Sequence, residues 1–342
     1  MRRKTVAALL EGGQLLMLLR FKGLFKRFYR LCFLASVADS GLMQKLAHGP
    51  VAVESLTRDC GKKSSSPDAV HAWIRLGVRL GVIREKPTGY SLRGWLMKKL
   101  AAPQNDAVRA LIREAAELHY LYIMQTPVKL EQGVLWKPEE GHHAYGDVIA
   151  RSSQALAPFL CEVIDRFFPA SDNMRLLEVG CGHGRYILHA AERHRNLQAI
   201  GLELDAHVAQ AASNSILASG LQHRITVEIQ DVRQYQSEEG FDVLTLYNNI
   251  YYFPVEERIE LLTHLRRLLN PNGRILITTG CINGGIEFEL VNLIHATTNG
   301  WGRLPLKDEL LQQLSAAGFE RSTATNLIPG DQYYVFAGYN PG

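Results

Sequence analysis

The stretch Leu176–Gly184 reads LLEVGCGHG and joins an apolar strand to a helix through three glycines at alternate positions. Gly180, Gly182 and Gly184 have no Cβ, so a bound cofactor can lie against the backbone at the carboxyl end of this strand. Glycine-rich turns also bind dinucleotides and phosphates. Two details distinguish this turn from the dinucleotide motif: the spacing is G-x-G-x-G, and an acidic residue, Glu178, stands two positions before the first glycine.

Three further signals follow in order, each at the end of a predicted strand. Glu203, which ends the second strand, and the following Leu204 are candidates for cofactor contacts, and the carboxylate of Glu203 can accept hydrogen bonds from both hydroxyls of a ribose. Asp231 and Val232 follow the third strand, where a carboxylate can accept a hydrogen bond from an adenine amino group. The fourth strand ends at Asn248, where the reactive part of the cofactor is expected. One acid at a strand end is often only a helix cap, but the four signals in this order indicate a nucleotide-type cofactor site.

Strands and helices alternate from about residue 174, which predicts a parallel sheet with crossover helices. Two more extended segments, within 319–329 and 332–340, are joined by a Pro-Gly turn and bring the sheet to seven strands. The predicted fold class is therefore α/β, with a Rossmann-like seven-stranded sheet preceded by a mostly helical domain. The parallel strands are expected at Arg175–Gly180, Gln198–Glu203, Ile225–Gln230, Phe241–Tyr247 and Arg274–Thr279.

From about residue 174 to residue 342 the chain resembles the class I S-adenosylmethionine-dependent methyltransferases. LLEVGCGHG is similar to the first motif of that family, Glu203 to its ribose-binding acid and Asp231 to its adenine-side acid. Residues 269–279, LNPNGRILITT, are similar to the family's loop and fifth strand, with Asn272 in place of the first glycine of L-x-P-G-G. Asparagine tolerates the same turn conformations. The resemblance implies S-adenosyl-L-methionine as the cofactor and S-adenosyl-L-homocysteine as its product.

The N-terminal part has a different character. Residues 36–93 follow the order of a winged helix, with three helices before a short wing around the turn at 87–89. This part resembles the dimerisation domain of bacterial small-molecule and plant-type O-methyltransferases, so the resemblance implies a homodimer. We divide the chain into a helical, winged-helix-like dimerisation and substrate-lid domain, 1–150, and a Rossmann-like catalytic domain, 151–342.

Charge is distributed unevenly over these two parts. Residues 1–150 contain 23 Lys and Arg against 13 Asp and Glu, whereas the whole chain has 38 against 34. A helix predicted over 14–34 places Lys22, Lys26 and Arg30 on one face and apolar side chains on the other. The basic face is either solvated or binds an anionic group of the methyl acceptor. The apolar face is expected to form part of a dimer interface.

Fewer sequence patterns indicate which residues contact the methyl acceptor. Plant-type O-methyltransferases carry a catalytic histidine shortly after the fourth strand, where this chain has Asn248–Pro254, NNIYYFP. The resemblance therefore leaves the general base open. Our first candidate base is His143, in a loop predicted at 137–147, and Tyr252 is a second catalytic candidate. Candidates for acceptor contacts are Trp136, Tyr251 and His295, and candidates for binding the methionine carboxylate of the cofactor are Tyr145 and Arg151.

The composition disfavours several other classes of protein. The five cysteines are scattered without a CxxC pair or a Cys/His cluster, so we expect no metal site and interpret them as reduced thiols of a cytoplasmic protein. The sequence has no apolar run of the roughly 20 residues that a membrane-spanning helix needs, so no membrane partner is expected.

Three functions stay open at this point. The leading one is O- or C-methylation of a small-molecule acceptor, a secondary metabolite or its precursor. The alternative within the class is methylation of a carbon in an isoprenoid diphosphate. A less favoured alternative is a DNA-binding regulator that senses the cofactor. Basic residues are sparse in the third helix of the winged-helix region and at its end, namely Arg75, Arg79 and Arg84, whereas a recognition helix needs polar side chains for base edges.

Overall fold

The computed structural model describes residues 13–60, 66–171 and 173–342, without the side chains of residues 59, 60 and 142–144. The described chain folds into two compact units. The first unit contains the described residues up to Leu121 together with Arg151–Ala155, and the second contains Tyr122–Ala150 and the residues from Leu156 onward. This division differs from the predicted boundary after residue 150, because the helical stretch from Tyr122 packs with the second unit.

The first unit is mostly helical and contains one small sheet. Strands β1 (Ile83–Lys86) and β2 (Gly89–Leu92) form an antiparallel hairpin, which follows three helices in the predicted order. One buried apolar cluster joins these helices to the hairpin. The helices are α1 (Gln14–Ala38), α2 (Leu42–His48), α3 (Val53–Cys60), α4 (Pro67–Arg79), α5 (Gly94–Leu100) and α6 (Asp106–Glu114), and α6 continues into a π-helical turn at Ala115–His119.

Helix α1 confirms the predicted helix at 14–34 and extends it to Ala38. Only its C-terminal turns are buried, where Phe33 and Val37 enter the core of the first unit. An apolar surface of this kind is typical of a site where another protein chain binds. The exposed apolar side chains, each 41–66% accessible, include Leu16, Leu18, Phe21, Leu24, Phe25 and Phe28.

The second unit is built on a seven-stranded sheet, so the predicted α/β fold class is confirmed. The parallel strand β3 is buried over most of its length, as expected for a strand covered on both faces. The order across the sheet is β5-β4-β3-β6-β7-β9-β8, and β9 pairs antiparallel with both neighbours. The strands are β3 (Arg175–Val179), β4 (Gln198–Glu203), β5 (Ile225–Ile229), β6 (Phe241–Tyr247), β7 (Leu269–Gly280), β8 (Glu320–Asn326) and β9 (Tyr333–Tyr339).

Buried apolar clusters join helices to both faces of this sheet, and the strand order places the expected ligand crevice at the carboxyl ends of β3 and β6. The chain passes from β3 outward to β4 and β5 and then returns to β6 on the other side of β3. Ligands of open α/β sheets bind at the carboxyl ends of the strands where the order reverses in this way. The helices are α7 (Tyr120–Glu131), α8 (Pro138–Ser152), α9 (Ala157–Phe167), α10 (Arg185–Arg193), α11 (Ala206–Ala218), α12 (Arg258–Arg267), α13 (Ile286–Ala296) and α14 (Lys307–Ala316).

The loop predicted at 137–147 is wrong, because this stretch belongs to α8. Pro138 opens the helix, and two glutamates in the first turn suit its positive N-terminal end. Gly141, which looked like a loop residue, is needed for packing: a Cβ there would lie 2.6 Å from the hydroxyl of Tyr122. None of the helices in the described ranges is long and apolar enough to cross a membrane.

Candidate functional site

The glycine turn after β3 has a left-handed backbone. The φ angles of Gly180, Gly182 and Gly184 are 64°, 55° and 76°, a region that residues with a Cβ rarely adopt. A Cβ at Gly180 would also lie 2.8 Å from Nδ2 of Asn249. At Gly182 no atom of the described residues lies within 4 Å of such a Cβ. The backbone at Gly182 is therefore not covered by the described residues, and its predicted contact with the cofactor stays a prediction.

The carboxylate of Glu203 holds this turn against the end of β4. Its Oε2 accepts a hydrogen bond from the backbone N–H of Gly182 at 3.0 Å, and its Oε1 accepts from Leu204 and Asp205 at 2.9 and 3.1 Å. A carboxylate offers about four acceptor positions, so capacity is left for a ligand. Leu204 is 67% exposed beside it. The arrangement fits the predicted cofactor contacts of Glu203 and Leu204, which stay predictions.

Glu178 is a buried carboxyl group on β3, two residues before the turn. It is only 1% exposed, and its Oε2 has no hydrogen-bond partner among the described residues. Burial, and then the charge of Glu203, raise the pKa of Glu178 well above its usual value. A positive charge in the crevice would favour the ionised carboxylate. Because S-adenosylmethionine carries a positive sulfonium, Glu178 fits the expected cofactor.

Asp231 caps a short helical turn at Val232–Gln234. Its Oδ1 accepts from the backbone N–H of Arg233 at 2.9 Å, and the Arg233 guanidinium donates to Oδ2 at 3.0 and 2.6 Å. Burial would raise the pKa of Asp231, but the hydrogen bonds from Arg233 lower it below its usual value. The capping role weighed for such acids is thus present at Asp231. Val232 is buried, and the adenine-side role of both residues stays a prediction.

Asn248 ends β6 with a left-handed φ of 55°. Its Oδ1 accepts a hydrogen bond from the hydroxyl of Tyr333 at 3.0 Å, and its backbone N–H donates to the carbonyl of Thr278 at 2.8 Å. Tyr333 is fully buried, and burial raises its pKa to about 12, so the phenol is protonated at neutral pH. The sequence analysis missed Tyr333, because only the pairing of β9 with β7 places it opposite Gly280.

Four rings form an aromatic cluster beside the segment that follows β6: Tyr251, Tyr252, His295 and Trp301. The centroid of the His295 ring lies 4.3 Å from that of Tyr251, 5.1 Å from that of Tyr252 and 5.0 Å from that of Trp301. Nδ1 of His295 lies 2.8 Å from the carbonyl of Val291, so the neutral ring carries its proton on Nδ1. The structure thus brings three predicted site residues together and adds Trp301, which the sequence analysis missed.

A buried arginine holds this region in place. Arg258 is fully buried, its Nε donates to the carbonyl of Phe253 at 3.1 Å, and its Nη2 donates to the carbonyl of Arg303. Desolvation lowers the pKa of Arg258 to about 10, so the side chain is still charged at neutral pH. These bonds join the segment after β6 to the loop that carries Trp301. The sequence pattern contains no signal for this long-range role.

Trp136 packs inside the second unit. Its side chain is buried, and its indole N–H donates to Oγ1 of Thr126 at 3.3 Å. Its backbone N–H donates to the carbonyl of Thr297 at 2.9 Å, and its ring centroid lies 4.4 Å from that of Tyr122. These contacts give Trp136 a packing role. The predicted contact of Trp136 with the acceptor stays a prediction.

Three candidate residues lie on α8, but they do not all belong to the same compact unit. The side chain of His143 lies outside the described part, and Tyr145 is half-buried. Arg151 belongs to the first unit, where it donates to Asp106 and Asp39 at 2.8 Å each. The hydrogen bond from Arg151 is the main cause that lowers the pKa of Asp39 to about 2. These ion pairs give Arg151 a structural role in the first unit, and its contact with the cofactor's carboxylate stays a prediction.

The predicted basic face lies on α1 of the first unit. Lys22 and Lys26 are exposed and Arg30 is half-buried. None of the three forms an ion pair with the residues that the structure describes. Within the same described ranges, no group of three or more His, Cys, Asp or Glu could hold a metal ion.

Comparison with known families gives a match in the second unit. Residues 176–273 match the family described as a methyltransferase domain. This range contains the glycine turn, Glu203, Asp231 and the segment after β6.

Two related proteins align with parts of this chain. Methyltransferase ungE' of Aspergillus campestris is 27% identical over 150 residues, which are 40% of this chain and 44% of that protein. The chain thus spans less than half the length of this relative. A tRNA1(Val) (adenine(37)-N6)-methyltransferase of Dyadobacter fermentans is 25% identical over 223 residues, which are 58% of this chain and 90% of that protein.

Solved structures share the fold over nearly the whole chain. Mitomycin 7-O-methyltransferase MmcR is 16% identical with a TM-score of 0.74 and covers 99% of both chains. Human N-acetylserotonin methyltransferase in complex with S-adenosylmethionine is 15% identical with a TM-score of 0.71 and covers 96% of this chain and 98% of its own. At these identities the likeness concerns the fold, and it includes both units of the present chain.

Proposed function

Since this chain is a class I S-adenosylmethionine-dependent methyltransferase, we propose that it methylates a small organic acceptor of the natural-product kind. The observation that carries the proposal is the aromatic cluster Tyr251, Tyr252, His295 and Trp301, directly after the strand that ends at Asn248. Flat faces of this kind suit a small unsaturated or aromatic molecule. The full-length fold is shared with enzymes named for mitomycin and N-acetylserotonin, which are small molecules.

When bound, S-adenosylmethionine supplies a methyl group that is already activated on a positively charged sulfur. The chain itself mainly binds and orients. The turn at Gly182 admits the ligand to the backbone, and the carboxylate of Glu203 accepts hydrogen bonds from ribose hydroxyls. Burial raises the pKa of Glu178, so its carboxyl group gains a negative charge more readily when the positively charged cofactor is bound, and it then attracts that cation.

The aromatic cluster has the task of placing the acceptor. Methyl transfer needs the nucleophile at about 3 Å from the methyl carbon and in line with the departing sulfur. Ring faces carry negative partial charge, so Tyr251, Tyr252 and Trp301 also stabilise a nearby sulfonium. His295 packs beside Tyr251 and Tyr252 with its Nδ1 at 2.8 Å from the carbonyl of Val291, and it is a candidate base for a hydroxyl acceptor. The predicted base His143 remains an alternative.

An anionic acceptor is the second candidate. The observation that favours it is the basic face Lys22, Lys26 and Arg30 on α1, which forms no ion pair with the described residues. Cations of this kind bind carboxylate or phosphate groups. A carboxylated aromatic compound or a prenyl diphosphate would satisfy this condition. Substituting each of the three by Met should then raise the Michaelis constant for the anionic acceptor, and three unchanged constants would contradict this candidate.

A homodimer is part of the proposal. The apolar side chains of α1, from Leu16 to Phe28, are 41–66% exposed in the single chain. A second copy of the chain that packs against α1 would remove this surface from water. A cytoplasmic location agrees with the free thiols of the four cysteines whose side chains the structure describes.

The test is transfer of tritium from methyl-labelled S-adenosylmethionine. The acceptors are caffeic acid, N-acetylserotonin, geranyl diphosphate, a small-molecule extract of the source organism and bulk tRNA. We expect label in a small molecule and none in tRNA, and Glu203→Ala serves as the impaired control. Label in tRNA alone would overturn the proposal. The compound with the highest specific activity is called the panel acceptor below.

A further inference from the structure

The hydrogen bond between Tyr333 and Asn248 is not part of the ribose and adenine contacts predicted above. It lies at the carboxyl end of β6, beside the segment that carries the aromatic cluster. Its donor comes from β9, which enters the sheet antiparallel after all parallel strands are complete. A strand that is remote in sequence thus contributes one buried hydroxyl to the edge of the crevice.

The ring of Tyr333 is fixed by neighbours on two helices. Phe288 of α13 stacks on it with centroids 5.6 Å apart and planes at 10°, and Phe159 of α9 approaches edge-on at 6.5 Å. The side chain is fully buried. A buried ring between two aromatic neighbours has little rotamer freedom, so the position of its hydroxyl is set by the fold.

This hydroxyl determines which end of the Asn248 amide faces the crevice. Oδ1 accepts from Tyr333 at 3.0 Å, so the NH2 group is the end that is left for a ligand. Asn248 is half-buried, and its Nδ2 forms no hydrogen bond with the described residues. The next residue is different: Asn249 is buried and its Nδ2 donates to the carbonyl of Val179. The two adjacent asparagines thus divide into a structural one and one that presents a donor.

We propose that Asn248 donates a hydrogen bond to an oxygen atom of the methyl acceptor and that Tyr333 is the positioning residue that orients it. This inference rests on the proposed function and narrows its substrate class. The acceptor has a lone-pair oxygen at or next to the reacting atom, as in a phenol, an enol or a carboxylate. The alkene carbon of a prenyl diphosphate offers no such atom, so O-methylation or methylation next to a carbonyl is selected over alkene methylation.

The test removes one oxygen atom. Tyr333→Phe deletes the hydroxyl. Tyr334→Phe is the matched control, because among the described residues its hydroxyl bonds only to Gln332, at 2.9 Å, which directly precedes the strand. For the panel acceptor we expect Tyr333→Phe to lower kcat about 10-fold, the effect of one oriented hydrogen bond on a rate. Tyr334→Phe should leave kcat within about twofold. Calorimetric affinity for S-adenosylhomocysteine should be the same in both variants.

A double-variant comparison separates positioning from simple support of the fold. If Tyr333 acts through Asn248, Tyr333→Phe should have no further effect on kcat in an Asn248→Ala background. Asn248→Asp keeps an acceptor for the Tyr333 hydroxyl but loses the donor, so it should be as slow as Asn248→Ala. Effects that multiply in the double variant, or equal losses in Tyr333→Phe and Tyr334→Phe, would overturn the inference.

One readout needs no acceptor. In the S-adenosylhomocysteine complex, the side-chain amide of Asn248 should give one NMR signal pair in the wild type and in Tyr334→Phe, and a shifted or averaged pair in Tyr333→Phe. An unchanged pair in Tyr333→Phe would contradict the orienting role. Failure of the wild type to bind S-adenosylhomocysteine at all would instead contradict the proposed function.

Discussion

Gly180→Ala is expected to disturb the glycine turn in two separable ways. The φ of 64° disfavours a residue with a Cβ by roughly 1–2 kcal/mol. The new Cβ would also lie 2.8 Å from Nδ2 of Asn249, which is buried and donates to the carbonyl of Val179. Displacing Asn249 leaves that carbonyl without its donor, which costs about 1–3 kcal/mol. We therefore expect the free energy of unfolding to fall by roughly 2–5 kcal/mol.

Gly182→Ala is the matched control. Its φ of 55° is equally left-handed, but no described atom lies within 4 Å of the added Cβ. The free energy of unfolding should then fall only by the roughly 1–2 kcal/mol that a Cβ costs in a left-handed conformation. Urea unfolding followed by fluorescence gives both values, and repeating it with S-adenosylhomocysteine shows whether the ligand still stabilises each variant. Equal losses in the two variants would refute the role assigned to the Asn249 contact.

Three further predictions concern charge, assembly and metal dependence. The pKa of Asp39 is lowered from 3.8 to about 2, so its ion pairs stabilise the fold above about pH 4. This stabilisation is lost as the pH falls toward 2. Because solvent screens the pairs, it amounts to about 1 kcal/mol or less. Urea unfolding at pH 5 and pH 3 should show a smaller pH effect in Asp39→Asn, and an identical effect would contradict the assignment. Phe21→Glu with Phe25→Glu should convert a dimer to a monomer in light scattering at micromolar concentration, whereas an unchanged mass would argue against α1 as the interface. Methyl transfer should be unaffected by a chelator, and loss of activity that magnesium restores would show a metal requirement.

Local patterns predicted the parallel part of the sheet well. Strands β4 and β6 begin and end where the sequence analysis placed them, since each is a short apolar run bounded by turn or helix signals. Glu203, Asp231 and Asn248 lie at the carboxyl ends of three strands. These ends lie on the same side of the sheet, because the strands are parallel. The order of the strands therefore predicts that these three residues lie close together.

Contacts between distant segments could not be predicted in the same way. Tyr333 reaches Asn248 only because β9 pairs antiparallel with β7, and Trp301 reaches His295 only through the loop after α13. The sequence likewise contains no signal that Arg151 forms ion pairs with Asp39 and Asp106, because both acids are far away in the chain. The glycines and histidines of 137–147 suggested a loop. In the structure this stretch is helical, and Gly141 lets the helix pack closely against Tyr122.

The most direct test of the account is calorimetric titration of S-adenosylmethionine into the wild type, Glu203→Ala and Glu192→Ala. Glu203 bonds the glycine turn and is the expected ribose acceptor, whereas Glu192 is an exposed acid on α10 of the same unit. We predict binding by the wild type, affinity weakened about 10-fold or more by Glu203→Ala, and no change with Glu192→Ala. Absence of binding by the folded wild type, or equal affinities in all three proteins, would contradict the central claim.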